Sequence, residues 1–150
     1  MTKPTPKKLI LFFFLLFMSG MTLAALPIMT GTYQALAVKY VGTNLPACAS
    51  TNIVLTITSQ CGAVFRGTIK VGADAAIPVT GRLTQFSTAS PINITLKGNA
   101  AAGIPSASIF SATVNPTTKA ISVSGDGFFY TSTTFIVNNL EMNDFVLTKQ

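Results

Sequence analysis

The sequence predicts an all-β protein, an antiparallel up-and-down barrel of about eight strands, with a β-sandwich as the alternative. Three observations lead to this prediction. Apolar and polar residues alternate in several segments, short turn sequences rich in Gly, Asn, Asp and Pro separate them, and no segment of about ten residues has a convincing amphipathic helical pattern. Short, regularly spaced strands with turn signals between them are typical of barrels and sandwiches.

The first 25 residues are predicted to be a secretory signal peptide, and residues 26–150 a single all-β domain. Three lysines precede an apolar run that begins at Leu9, and small residues near Ala25 provide a cleavage site. An uncleaved anchor is the alternative, because the chain from Leu9 to Met29 carries no charge and is long enough to span a bilayer. We therefore expect a secreted or periplasmic protein with no membrane span after signal removal.

The amino-acid composition argues against several classes of function. Without the signal peptide, seven basic and four acidic residues leave a formal charge of +3, so the charge of the whole chain does not indicate a nucleic-acid-binding surface. The chain has no His, which excludes Ser-His-Asp and Cys-His catalysis and leaves too few ligands for a zinc site. Glu141 and Asp144 lie three apart on a predicted strand and point to opposite faces. We expect no enzyme activity, no cofactor and no metal.

The strand predictions follow the alternation along the chain. In the clearest cases one face carries Ile, Leu, Val or Phe and the other carries polar residues, as at 53–58, 65–71, 77–83 and 92–97. Weaker alternation brings the total to about nine, at 33–41, 108–114, 120–124, 128–137 and 144–149. Pro78 cannot donate to a ladder, so its strand is expected to be an edge, bulged or shorter than drawn.

Cys48 and Cys61 are predicted to form one disulfide, since an even number of cysteines in an exported chain favours pairing. The alternatives are two buried free thiols or two cysteines that never meet. A predicted strand lies between them, so the bond requires the loop around Cys48 to fold back along the sheet.

Four phenylalanines are candidates for lining a lumen or forming a contact surface: Phe65, Phe110, Phe129 and Phe135. The densest aromatic cluster follows residue 127. Alternation there puts Phe129 and Phe135 on one face and Phe128 and Tyr130 on the other, so that one pair belongs to the core. The other pair is either a contact surface or is covered by a loop.

Two short motifs and one lysine occur at the ends of predicted strands. Gly31-Thr32-Tyr33 opens the first strand, Phe65-Arg66-Gly67 opens the third, and Lys149 ends the last. Their order resembles that of calycins, short up-and-down barrels that include avidin-like and small lipocalin-like proteins. The resemblance implies that Lys149 packs against Tyr33 as a closing pair. Avidin-like proteins surround biotin with several Trp side chains, and this chain has none, so biotin is not an expected ligand.

These observations predict a non-enzymatic protein that binds a small apolar ligand or a protein partner, and not nucleic acid. A barrel of this size is filled by side chains or holds one small ligand. The alternative is a structural surface protein, such as a fimbrial or adhesin-like subunit that takes a strand from a neighbour. Arg66, Lys70 and Arg82 share a predicted exposed face, which is either a patch for an anionic partner or a solvated surface.

Overall fold

The computed structural model describes residues 26–42, 48–84, 92–98, 106–131 and 140–150 of the chain. Most of these residues lie in strands, and none of them forms a helix with the length and hydropathy that a bilayer crossing needs. The elements are β1 (Gly31–Gly42), β2 (Ala49–Cys61), β3 (Val64–Val71), β4 (Ile77–Leu83), β5 (Ile92–Gly98), β6 (Ser106–Val114), β7 (Ile121–Val123), a 3-10 turn (Gly125–Gly127), β8 (Phe128–Thr131), β9 (Leu140–Met142) and β10 (Phe145–Lys149).

The strands form one antiparallel sheet that closes on itself. Each strand from β1 to β5 pairs with the next, β6 pairs with β7, β7 pairs with β10, and β10 pairs with β1. The ring has eight positions, because β8 and β9 prolong two of them without adding a new one. The predicted up-and-down barrel is therefore confirmed, and closure of the ring excludes the two separate sheets of a sandwich.

Two positions of the ring are each shared by two short strands. β7 and β8 both pair with β6 on either side of the 3-10 turn, and β9 and β10 both pair with β1. The two interruptions meet, because the Gly125 amide donates to Asp144 Oδ1 at 2.9 Å. A Cβ at Gly125 would lie 1.7 Å from the Met142 carbonyl oxygen, so this close approach requires glycine. In the described part of the chain no ladder joins β8 to β9. Of the strand predicted at 128–137, positions 132–137 lie outside the described residues.

Bulges bend three of the strands. The register shifts by one residue between Ala35 and Val38 in β1, between Ile57 and Ser59 in β2, and where β6 passes Thr95 of β5. An extra residue increases the local twist and lets a strand coil around a barrel.

Apolar side chains fill the barrel interior. In β2 the side chains of Ile53, Leu55 and Ile57 are buried and their neighbours are partly or fully exposed, as the sequence alternation predicts. Each such side chain stabilises the folded state by about 1.5–3 kcal/mol relative to an exposed one. The expectation that Pro78 makes its strand an edge, bulged or shorter is wrong, because β4 runs from Ile77 to Leu83 and pairs on both sides without a register shift. Pro78 is paired with Thr68 of β3, and the β4–β5 ladder begins only at Val79, so the missing donor does not interrupt that second ladder.

Residues just before β1 are anchored to the end of β2. Met29 is fully buried in the core, and its amide donates to Gln60 Oε1 at 2.7 Å. Gln60 Nε2 in turn donates to the carbonyl oxygens of Pro27 and Gly62, each at 2.9 Å. One side chain thus holds the segment that enters the barrel. The predicted signal peptide, residues 1–25, lies outside the described residues.

Candidate functional site

Tyr33 and Lys149 meet where β1 and β10 close the ring. The two residues are direct partners in the ladder, and Lys149 Nζ lies 5.9 Å from the centre of the Tyr33 ring, within cation–π range. The lysine side chain passes over Gly31, where a Cβ would lie 2.8 Å from Lys149 Cε. Gly31 also has a φ of 135°, which L side chains rarely adopt. The contact belongs to the seam of the barrel.

The Tyr33 hydroxyl has a structural role. The residue is fully buried, and its hydroxyl donates to the Met29 carbonyl oxygen at 2.8 Å. Burial raises the pKa of Tyr33 to about 12, because the interior disfavours the charged phenolate. The hydroxyl therefore stays protonated at neutral pH and serves as a hydrogen-bond donor.

The predicted disulfide does not form, because Cys48 and Cys61 are both free, exposed thiols. Cys48 immediately precedes β2 and Cys61 is its last residue, so the whole strand separates them. An extended segment of this length spans roughly 40 Å, far beyond the reach of a disulfide. Of the two alternatives, the second is correct, because the two cysteines do not meet.

The candidate phenylalanines lie on both sides of the barrel wall. Phe65 is buried, and its ring covers Gly81 on the neighbouring strand, where a Cβ would lie 2.0 Å from Phe65 Cζ. Phe110 and Phe129 are 60% and 46% exposed, so neither lines the lumen. Phe135 lies outside the described residues.

The β6 bulge explains why Phe110 and Ser111 both point outward. Ile109 and Ala112 are buried, and Phe110 and Ser111 between them are both exposed opposite Thr95. In a regular strand two successive residues would point to opposite faces. The bulge adds one residue to β6 and places the aromatic ring and the serine on the outer wall together.

Phe110 stands in a surface depression of about 580 Å³ that crosses β5, β6, β7 and β10. We call it the serine–threonine cleft, because most of its outward-facing side chains carry hydroxyl groups. The residues that line it include Thr95, Phe110, Ser111, Thr113, Ser122 and Asp144. Asp144 is exposed and already accepts the Gly125 amide through one carboxylate oxygen.

A second depression, of about 460 Å³, lies on the outer wall over β2 to β5. We call it the basic cleft, because Arg66, Arg82 and Lys97 line it together with the hydroxyl-bearing residues Ser59, Thr80 and Thr95. Lys70, which the sequence pattern places on the same predicted face as the two arginines, is exposed but does not line this cleft. Thr95 lines both clefts, so they adjoin at β5.

The described carboxylates are scattered over the barrel. Asp74, in the turn between β3 and β4, accepts a hydrogen bond from the Tyr130 hydroxyl, and Asp126 lies exposed in the 3-10 turn. The described residues contain no group of three or more His, Cys, Asp or Glu side chains that could hold a metal ion.

Comparison with known proteins adds no relative. No protein-family model, no curated protein and no solved structure matches the chain. The closed eight-stranded antiparallel barrel has the general shape of a calycin, and the likeness stops at that shape.

Proposed function

We propose that the protein is an exported, non-enzymatic binding protein whose ligand binds in the serine–threonine cleft. The observation that carries the proposal is Phe110, an exposed aromatic ring that a bulge places beside Ser111 in a depression lined with hydroxyl groups. Bulges are over-represented beside functional sites, where they re-aim a side chain. Val146 is also exposed and lines the same cleft, and apolar surface with a polar rim is typical of an interaction site where it forms a patch.

The lining of the cleft favours a carbohydrate. The faces of sugar rings carry C–H groups that contact the electron-rich face of an aromatic ring, and their edges carry hydroxyl groups that need donors and acceptors. Phe110 offers the ring, and Ser111, Thr113 and Ser122 offer hydroxyl groups on the same surface. A volume of about 580 Å³ is in the range of small-molecule sites.

This proposal moves the ligand from the lumen to the outer wall. The small apolar ligand expected from the sequence would compete with buried core side chains such as Phe65, Leu96 and Ile109 for the barrel interior. Removing such side chains from a packed core costs several kcal/mol, about 2–5 for a large aliphatic residue. The cleft on the outer wall needs no such rearrangement.

Two features of the sequence support the remaining parts of the proposal. Export rests on the basic and apolar residues at the start of the chain, which have the pattern of a signal peptide. A binding role without catalysis rests on the absence of His and on the small number of carboxylates, four, of which Asp74 is bonded to Tyr130 and Asp144 to the Gly125 amide.

The experiment is a binding assay on an array of neutral oligosaccharides, followed by titration calorimetry with the best binder. Phe110→Ala is expected to weaken binding at least tenfold. Phe129→Ala is the matched control, because Phe129 is also an exposed phenylalanine on the outer wall but does not line the cleft. Absence of binding to every neutral glycan, or equal losses in the two variants, would contradict the proposal.

The alternative is a structural subunit that accepts a strand from a neighbouring chain. One observation favours it: β8 and β9 pair with β6 and β1 and, in the described residues, not with each other. Unpaired strand edges are the usual place for strand addition. This alternative predicts oligomers in size-exclusion chromatography, and a monomer that binds glycans would exclude it.

A further inference from the structure

The basic cleft gathers three cations around one threonine. Arg66 and Lys97 are the ladder partners of Thr80 on its two sides, and Arg82 follows Thr80 by two positions on the same strand. Arg82 is therefore a diagonal neighbour of both other cations, at a distance of about 7–8 Å between backbones. Long side chains at such positions can bring their charged ends to a common point.

The three charges lack a counter-charge within the cleft. No described carboxylate lines it, and Asp74 and Asp144 are engaged elsewhere on the barrel. Like charges on neighbouring strands repel and destabilise the sheet. An anion bound between them would remove this repulsion.

The bulge in β2, between Ile57 and Ser59, orients Arg66. It turns Ser59 outward, and Arg66 Nε donates to Ser59 Oγ at 2.9 Å. This bond fixes the plane of the guanidinium group and leaves its two terminal nitrogens for a ligand. A planar guanidinium can hold two oxygens of one phosphate or sulfate group at once.

We propose that the basic cleft binds a phosphate or sulfate group, held by Arg66, Arg82 and Lys97 with the Thr80 hydroxyl between them. A volume of about 460 Å³ suits a small molecule or a headgroup that carries such a group. The proposal does not depend on carbohydrate binding in the serine–threonine cleft, since Thr95 is the one described residue that lines both clefts.

Inorganic pyrophosphate is the probe, titrated calorimetrically at low ionic strength, with phosphate and sulfate as further anions. Arg82→Gln is expected to weaken pyrophosphate binding at least tenfold and Arg66→Gln by a similar factor. Lys70→Gln is the matched control, because it removes one exposed cation from β3 outside the cleft. Arg82→Lys keeps the charge and is expected to restore part of the affinity. Circular dichroism verifies the fold of each variant.

Two arms distinguish the source of the anion. Sedimentation with phosphatidylcholine vesicles that contain phosphatidic acid detects a headgroup, and pyrophosphate binding without vesicle binding indicates a free ligand. Either result supports the proposal if Arg82→Gln weakens the binding at least tenfold and Lys70→Gln does not. The proposal is overturned if pyrophosphate, sulfate and vesicles all fail to bind, or if Lys70→Gln weakens binding as much as Arg82→Gln, which would mean a response to net charge alone.

Discussion

Replacing Tyr33 with Phe tests whether the buried hydroxyl at the barrel seam acts as a permanent donor. Tyr33 is fully buried and donates to the Met29 carbonyl oxygen at 2.8 Å. The variant loses this hydrogen bond and leaves the carbonyl oxygen without that donor. We expect the free energy of unfolding at pH 7 to fall by about 1 kcal/mol.

The same hydroxyl should make stability depend on pH in the alkaline range. Burial raises the pKa of Tyr33 from 10.0 to about 12. Because the folded-state pKa is raised, the stabilisation is complete below pH 10 and is lost as the pH rises from 10 to 12. One pKa unit corresponds to about 1.4 kcal/mol, so the parent protein loses roughly 1 kcal/mol by pH 11 through this group. Tyr33→Phe escapes that loss, and the two proteins should be about equally stable near pH 11.

The measurement is urea unfolding at pH 7, 9 and 11, followed by circular dichroism. Tyr40→Phe is the control, because Tyr40 lies on the same strand but is only partly buried. This control reports how stability changes when a tyrosine that is not fully buried is replaced. A stability difference between the parent and Tyr33→Phe that stays constant from pH 7 to pH 11 would refute the reasoning.

Three further predictions concern the thiols, the Gln60 anchor and the Phe65–Gly81 contact. Cys48 and Cys61 should both react with a thiol reagent in the native protein, and a reducing agent should leave Tm unchanged; a lower Tm on reduction would indicate a disulfide. Gln60→Ala removes the two hydrogen bonds that hold the entering segment, to Met29 and Pro27, together with the bond to Gly62 in the following turn. The loss should cost about 1–3 kcal/mol in urea unfolding, so a change below about 0.5 kcal/mol would contradict the anchor. Gly81→Ala places a Cβ within the Phe65 ring and should lower the free energy of unfolding by about 1–3 kcal/mol. Adding Phe65→Leu to the same chain should recover part of this loss. If the losses of the two single variants simply add in the double variant, the contact is contradicted.

The fold was predictable because its main determinant is local. Alternation along 53–58 and 77–83 indicates which side chains face inward, and the structure buries Ile53, Leu55 and Leu83 as expected. The contact between Tyr33 and Lys149 followed from the resemblance to calycins, and the β1–β10 ladder pairs the two residues.

The clefts were not predictable, because they depend on register between strands. A bulge has no clear mark in a single sequence, so simple alternation gives no reason for Phe110 and Ser111 to share the outer face. The sequence grouped Arg66 and Arg82 with Lys70, whereas the cleft replaces Lys70 with Lys97 from β5. Only the pairing of β4 with both of its neighbours brings these three cations together.

The seam between β1 and β10 has a consequence for folding kinetics. Thr148 Oγ donates to the Gln34 carbonyl oxygen across 114 positions of the chain, so the ring closes only after both strands are available. Most other ladders join consecutive strands, so this distant pairing is the step expected to be slow, because distant contacts form more slowly than local ones. Until closure, β1 and β7 each present an unpaired edge that can join another chain. We therefore expect aggregation during refolding to increase with protein concentration and to cease once the seam has formed.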